Sequence, residues 1–167
     1  IDQLRSRLKQ HFVKENKDRS IFIKNIGRAI LAHNNDSFLE QWEWDLTTRV
    51  NKDKYLPLLD QEKQIDIEKQ VSVYIQEAFS FVVFGVDSKE LRLDLESKII
   101  STVSLCDECK PYIDWLGLSS PKQKIRESGL WLVNELYKTP LEDDELETLK
   151  GLCHDKSKKI LRSTKNI

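Results

Sequence analysis

The apolar run FSFVVFGV at residues 79–86 constrains the fold more than any other part of the chain. Its aromatic and β-branched residues follow one another with little polar interruption, which favours a buried strand. Ser88 comes shortly after the run and is a plausible N-cap for a helix that begins near Glu90. A buried strand that leads into a helix predicts an α+β fold, a mostly helical single domain with a small central sheet.

Most of the remaining chain has apolar side chains at the three- and four-residue spacing of amphipathic helices. This spacing predicts helices at residues 2–15, 20–32 and 38–50. Further helices are predicted at residues 61–76, where the periodicity is poor, and in the acidic segment 142–153. Ser20 is a plausible N-cap of the second helix, and Trp42 fits the apolar side of the third, so we expect it in the core. Turn signals throughout residues 104–124 predict an ordered loop, and residues 129–136 predict a second strand that ends before Pro140.

Glu96 stands out because it falls among apolar residues on the predicted helix. At about 100° per residue, Leu93, Ile99 and Ile100 flank it on the adjacent turns. A carboxylate in that position loses water and needs a partner. Arg92, one turn earlier, could pair with it in a purely structural contact, but a buried carboxylate is also a candidate for function.

Charge is distributed unevenly along the chain. The 27 basic and 28 acidic residues give a net charge of −1, so the net charge neither favours nor excludes a nucleic-acid partner. Residues 1–34 hold eight Lys or Arg against three acids. A basic start suits a phosphate-bearing partner, and a solvated helical face is the equally simple alternative.

Three cysteines, an odd number, indicate reduced thiols and an intracellular, cytoplasmic protein. No apolar run reaches the length of a membrane span. Met is absent, so we expect the chain to begin within a longer protein. Cys106, Cys109, Cys153 and His154 could be interpreted as a zinc site, but the adjacent second pair makes joint ligation awkward, and free thiols are the simpler interpretation.

The predicted first helix carries two functional candidates beside its apolar stripe. Leu4, Leu8 and Phe12 form the stripe, and Arg7 and His11 lie at its border, one turn apart. Arg7 could reach over the edge of the core into a cleft, or its aliphatic part could lie along the apolar surface. His11 could equally be a hydrogen-bonded histidine at the edge of the core.

Several segments, taken in order, resemble one known family, the GIY-YIG nucleases. They are LRSRLKQHF at 4–12, NIGRAIL at 25–31, FSFVVFGVDSKELRLDLESKII at 79–100, and WLG with IRESGLW between 115 and 131. The first two are similar to the middle of the nuclease domain, the third to a later strand and helix, and the last to a subgroup. The resemblance implies a nuclease core at residues 1–140 and a C-terminal helix with a basic tail at 141–167.

The resemblance further implies a Mg²⁺-dependent DNA endonuclease that hydrolyses phosphodiester bonds. On the family's pattern Arg7 and His11 are catalytic, and Glu96 is both catalytic and the ligand of Mg²⁺ or another divalent cation. Such an ion accepts one or two carboxylates plus waters, and a guanidinium forks onto two phosphate oxygens. The basic residues expected to contact nucleic acid are Arg5, Lys9, Lys14, Lys24 and Arg28.

Two departures from the family's pattern leave other functions open. The first departure is that the GIY and YIG strands are missing from this sequence and would precede Ile1. The second is that the family's late Asn corresponds either to Asp114, which is an acid, or to Asn134. One alternative is a non-catalytic module that retains the scaffold and binds nucleic acid or protein. Another is a helical regulatory protein in which Glu96 and Arg92 form a structural pair.

Overall fold

The computed structural model describes residues 16–80 and 84–154, and within these ranges the chain is built from α-helices and short 3₁₀ turns. The α-helices of this part are α1 (Ile21–His33), α2 (Leu39–Glu43), α3 (Arg49–Tyr55), α4 (Gln61–Ala78), α5 (Lys89–Leu105), α6 (Gln123–Ser128) and α7 (Asp143–His154). A first 3₁₀ turn lies at Leu56–Leu58 and a second at Leu116–Ser119. None of the described helices is long and apolar enough to cross a membrane.

Helix α1 lies at the centre and is buried on nearly every side. Ser20 caps its N-terminus, because the Ser20 hydroxyl accepts a hydrogen bond from the backbone N–H of Ile23. The helix packs against α2, α4 and the second 3₁₀ turn. Its buried residues are both apolar and polar: Ile23, Asn25, Ile26, Gly27, Arg28, Ala29, Ile30 and Leu31. A polar side chain on a helix enclosed in this way needs a partner.

The contact between Gly27 and Trp42 sets how closely α2 approaches α1. The Trp42 side chain is fully buried, which confirms its predicted place in the core. Its Nε1 donates to the carbonyl oxygen of Lys24 at 3.0 Å. A Cβ atom at position 27 would lie 2.2 Å from a carbon of the indole ring. Only glycine therefore lets the ring lie directly against the backbone of α1.

The expected small central sheet is wrong, because the described residues contain no strand. The described part of residues 79–86 has no regular structure, and the rest of that run lies outside the described residues. The Phe79 ring packs edge-on against Phe22 and Tyr74, at centroid distances of 5.2 and 5.8 Å. The apolar character that favoured a strand therefore serves packing against α1 and α4.

The second predicted strand, at residues 129–136, is also wrong. Gly129 ends α6 in the left-handed conformation, with φ of 70°. Glu135 and Tyr137 share that conformation, with φ of 62° and 58°. Left-handed residues interrupt the extended backbone of a strand. A non-glycine residue in this conformation costs about 1–2 kcal/mol, so tertiary contacts must hold these two in place.

Most of the predicted helices in the described part of the chain are confirmed, with small differences at their ends. They are those at residues 20–32, 61–76 and 142–153, which correspond to α1, α4 and α7. Ser88 caps α5 as predicted, because its hydroxyl accepts from the backbone N–H of Leu91 at 3.2 Å. The helix predicted at residues 2–15 lies outside the described residues.

The single helix predicted at residues 38–50 is wrong, because α2 ends and a separate helix, α3, follows after a short turn. The Asp45 carboxylate accepts from the backbone N–H of Thr47 at 2.8 Å. The Thr48 hydroxyl accepts from the backbone N–H of Asn51 at 3.2 Å and so caps α3. Short polar side chains that bond to nearby backbone groups compete with helix formation, and here they divide one predicted helix into two.

Replacing Gly27 by alanine should destabilise the protein. The new methyl group would overlap the Trp42 ring, and overpacking of a core costs about 1–3 kcal/mol. The matched control is Gly151→Ala on α7, where nothing lies within 4 Å of the added Cβ atom and alanine is the better helix former by about 1 kcal/mol. Urea denaturation should therefore shift in opposite directions in the two variants. A Gly27→Ala protein as stable as the wild type would show that the ring does not rest on the helix.

Candidate functional site

Glu96 lies on α5 with its side chain exposed to solvent. Leu95 beside it is buried, with 4% of its surface exposed. The prediction that Glu96 loses water is therefore wrong. The alternative of a structural ion pair with Arg92 finds no support either, because the salt bridges recorded for α5 are made by Lys98.

Glu96 is exposed because α5 buries a different face from the one that its apolar residues predict. Ser101 and Ser104 are buried, with 0% and 7% of their surface exposed. Leu93, which is close to Glu96 on the helix surface, is 54% exposed. The helix therefore turns small polar side chains inward and leaves the surroundings of Glu96 open to solvent.

Residues 135–145, called the strap below, bond to α5 at four positions. Two of the contacts are made by side chains of the strap and two by its backbone N–H groups. They are Ser97 Oγ to the Glu135 carboxylate, Tyr137 N–H to Ser104 Oγ at 2.9 Å, Leu141 N–H to Thr102 Oγ1 at 2.8 Å, and Lys98 Nζ to the Glu145 carboxylate. These contacts span about two turns of α5.

The two candidates for the late Asn of the resemblance lie in different parts of the fold. Asn134 is exposed and directly precedes Glu135, whose carboxylate accepts from Ser97, the neighbour of Glu96. Asp114 is exposed shortly before the second 3₁₀ turn, which packs on α1. Position 134 therefore adjoins a residue that bonds to the helix of Glu96.

Arg28 belongs to the core, although the sequence placed it among the nucleic-acid contacts. Only 6% of its surface is exposed. Its Nε and Nη2 donate to the Glu43 carboxylate, and its Nη1 donates to Asn25 Oδ1 at 2.6 Å. Asn25 Nδ2 in turn donates to the carbonyl oxygen of Trp131 at 3.1 Å. All three guanidinium nitrogens are engaged, so this geometry does not support Arg28 as a phosphate contact.

The Glu43 carboxylate is flanked by three cations. Burial alone would raise its pKa, but the hydrogen bond and charge of Arg28, with the charges of Lys24 and Lys122, hold the pKa below its usual value. Lys24 is half-buried and donates from Nζ to the carbonyl oxygen of Glu43 at 3.1 Å. Burial and the nearby Lys17 lower the pKa of Lys24, and burial and Arg28 lower that of Lys122. Sequence reasoning missed Lys122, because a lysine in a turn-rich loop gives no periodic signal.

The other predicted site residues lie outside the described residues. They are Arg5, Arg7, Lys9, His11 and Lys14. The catalytic roles expected of Arg7 and His11 therefore stay predictions.

The zinc interpretation finds no support in the described part of the chain. No group of three His, Cys, Asp or Glu residues there could hold a metal ion. Cys106, Cys109 and Cys153 are free thiols. A side-chain hydrogen bond with Cys109 lowers the pKa of the Cys106 thiol, and the same bond raises the pKa of Cys109. The first two cysteines are therefore neighbours, and the further ligands that a zinc site needs are not found beside them in the part of the chain that the structure describes.

Residues 2–159, nearly the whole chain, match the sequence profile of the GIY-YIG domain. The chain belongs to the GIY-YIG family. No curated protein and no solved structure matches it. Membership rests on the sequence match alone, since the expected sheet is not found in the described residues. It indicates a nuclease-type function and implies a nucleic-acid substrate.

Stability at acid pH should depend on Glu43. Because its pKa lies below the ordinary value of 4.5, its contribution is fully present above that pH and is lost as the pH falls through the folded-state pKa. Glu43→Gln removes the charge, so the free energy of unfolding should be lower at neutral pH and should vary less between about pH 3 and 5. Glu40→Gln, at an exposed position of the same helix, should follow the wild type. Chemical denaturation across this range checks the expectation, and equal acid sensitivity in all three proteins would contradict it.

Proposed function

We propose that this GIY-YIG domain is a Mg²⁺-dependent endonuclease that hydrolyses phosphodiester bonds in DNA. The observation that carries the proposal is an exposed carboxylate, Glu96, on a helix that the strap holds in place. Family membership supports the reaction class, and Glu96 is a group to which a cation can bind.

The surroundings of Glu96 suit Mg²⁺ better than a metal enclosed by protein ligands. Mg²⁺ is usually bound through one or two carboxylates and keeps several waters or substrate phosphates. Glu96 is exposed, so an ion held by its carboxylate would have room for waters and for a substrate phosphate. Glu96 would hold the ion, which would bring positive charge to the phosphate that is cleaved.

Arg7 and His11 would complete the site. A guanidinium stays charged at any working pH and forks onto two phosphate oxygens, so Arg7 would orient the phosphate and stabilise its developing charge. His11, four residues further along the chain, would hold or accept a proton near neutral pH. Asn134, which adjoins a strap residue bonded to α5, has an amide that could donate to the same phosphate.

Access to Glu96 is consistent with a large substrate. Leu93 is 54% exposed, and Ile99 and Ile100 are only half-buried. A phosphodiester backbone can therefore approach this face of α5. Beyond the site, the proposed DNA contacts are Arg5, Lys9, Lys14 and Lys24, and Arg28 is no longer among them.

A non-catalytic module that binds nucleic acid or protein is the second candidate. It is favoured by the observation that no cluster of three candidate ligands accompanies Glu96 in the described residues. A single exposed carboxylate is by itself a weak metal site. Such a module would bind DNA through its basic residues and leave the strand intact. A cleavage assay separates the two candidates.

Two further expectations belong to this proposal. Residues 1–140 would form the nuclease core, with a C-terminal helix and a basic tail at 141–167. The three free thiols suit a reducing compartment, so we propose a cytoplasmic location.

Glu96→Gln should abolish Mg²⁺-dependent cleavage in protein that carries any residues encoded before Ile1. Gln has nearly the same shape but lacks the charge that holds the ion, so the fold and DNA binding should survive. Arg7→Ala should also reduce cleavage severely, because it removes a donor that stabilises the transition state by about 3 kcal/mol. A plasmid-nicking assay with a parallel binding titration checks both variants. Full cleavage by Glu96→Gln would disprove its role as metal ligand.

Lys24→Ala should weaken DNA binding and reduce its dependence on salt. Each lost phosphate contact reduces counterion release and lowers the slope of log K against log salt by about 1. The matched control is Lys110→Ala, which removes the same charge from an exposed ion pair with Asp107. Fluorescence anisotropy at several salt concentrations gives the slopes. If the two variants have the same slope as the wild type, Lys24 serves only to bond the carbonyl oxygen of Glu43.

A further inference from the structure

Resting on the proposed function, we propose that the strap orients Glu96 for metal binding, with Ser97, Lys98, Glu135 and Glu145 as positioning residues. None of these residues needs to touch the ion or the DNA. They fix the rotation of α5 about its axis, and this rotation sets the direction in which the Glu96 carboxylate points.

The strap holds α5 both beside Glu96 and on the opposite side of the helix. Ser97, the next residue in the chain, donates to the Glu135 carboxylate. Lys98 lies almost opposite Glu96, at about 100° per residue, and its Nζ donates to the Glu145 carboxylate. Contacts beside and opposite the candidate ligand oppose rotation of the helix in either direction.

Few apolar side chains of α5 are fully buried, and Ile99, Ile100 and Val103 are half-buried. Leu95 is the one large apolar side chain that this described helix buries, and its other buried residues are Ser101 and Ser104. The Ser101 hydroxyl is fully buried and has no hydrogen-bond partner among the described groups. Small side chains interdigitate little, so the directional bonds of the strap set the angle of the helix.

Small rotations matter at a metal site. A carboxylate about 6 Å from a helix axis moves by about 2 Å when the helix turns by roughly 20°. Metal ligands must be held within about 0.5 Å of their productive geometry. The strap contacts can therefore control metal binding although they lie outside the ligand set.

The backbone of the strap also points to a role beyond packing. Glu135 and Tyr137 both have positive φ, at 62° and 58°. Such strained residues persist only where the surrounding contacts determine them, and they cluster at functional sites. Here the strained residues are the two that contact Ser97 and Ser104.

The main experiment compares Glu145→Gln with Glu147→Gln in the full encoded protein. Each variant removes one carboxylate from the N-terminal half of α7, but Glu145 bonds to Lys98 on α5, whereas Glu147 pairs with Lys150 within α7. Mn²⁺ followed by electron paramagnetic resonance measures metal binding without turnover. Glu145→Gln should weaken Mn²⁺ binding and raise the Mg²⁺ concentration for half-maximal cleavage, each by roughly tenfold, with KM for DNA unchanged. Glu147→Gln should change neither.

Ser97 provides a second test, which decides the matter if Glu145→Gln does not fold. Ser97→Ala removes the hydroxyl that bonds to Glu135, so it should weaken Mn²⁺ binding. Ser97→Thr keeps a hydroxyl and should restore it. Hydrogen exchange of the α5 amides establishes that the helix is folded in each variant.

The outcomes distinguish a failure of the positioning role of the strap from a failure of the proposed function. Weaker Mn²⁺ binding in Glu145→Gln and Ser97→Ala, with α5 still protected from exchange, supports the strap. If Glu96→Gln loses Mn²⁺ binding while both strap variants keep it and only melt at lower temperature, the positioning role is overturned and the nuclease proposal stands. If Glu96→Gln binds Mn²⁺ and cleaves DNA like the wild type, the proposed metal site itself is wrong.

Discussion

The Trp42 ring resting on the backbone of α1 is the contact on which the rest of the described structure depends. Because the ring occupies the space of a side chain at position 27, α2 comes close enough for Glu43 to reach Arg28. Arg28 is then buried as part of a bidentate pair, whereas an isolated buried charge would be strongly destabilising. Asn25 extends this network to a carbonyl oxygen 106 residues later. One close approach between two helices therefore allows a polar network inside the core.

Sequence signals that act over a few residues predicted local structure well. Ser20 and Ser88 both cap helices where expected, because a cap depends on backbone N–H groups three positions away. The predicted sheet failed for a different reason. An apolar run shows that a segment is buried but not what buries it, and Phe79 packs against helical aromatic rings instead of strands. The outcome depended on residues distant in sequence, which periodicity does not report.

The candidate site shows the same limit of sequence reasoning. A helical wheel places Glu96 and its neighbours on one face correctly, but it does not tell which face the remaining chain will cover. The partners of Ser97 and Lys98, which are Glu135 and Glu145, follow them 38 and 47 residues later in the chain. A signal was present, since Ser97, Ser101 and Ser104 recur at i, i+4 and i+7 as a stripe of small polar side chains. The polar stripe and the apolar stripe predict different buried faces, so the two together do not decide which face of α5 is buried.

The position of α1 has a consequence for the order in which the protein can fold. Its partners include Trp131 and, through His33, the hydroxyl of Ser119, 106 and 86 residues further along the chain. At a synthesis rate of about 5–20 residues per second, the ribosome needs roughly 5–20 s to add that much chain. During this interval α1 has only its earlier neighbours to cover it, so one side of the central helix stays open. Completion of the core is therefore a late step, because residues 116–131 supply part of the cover of the central helix.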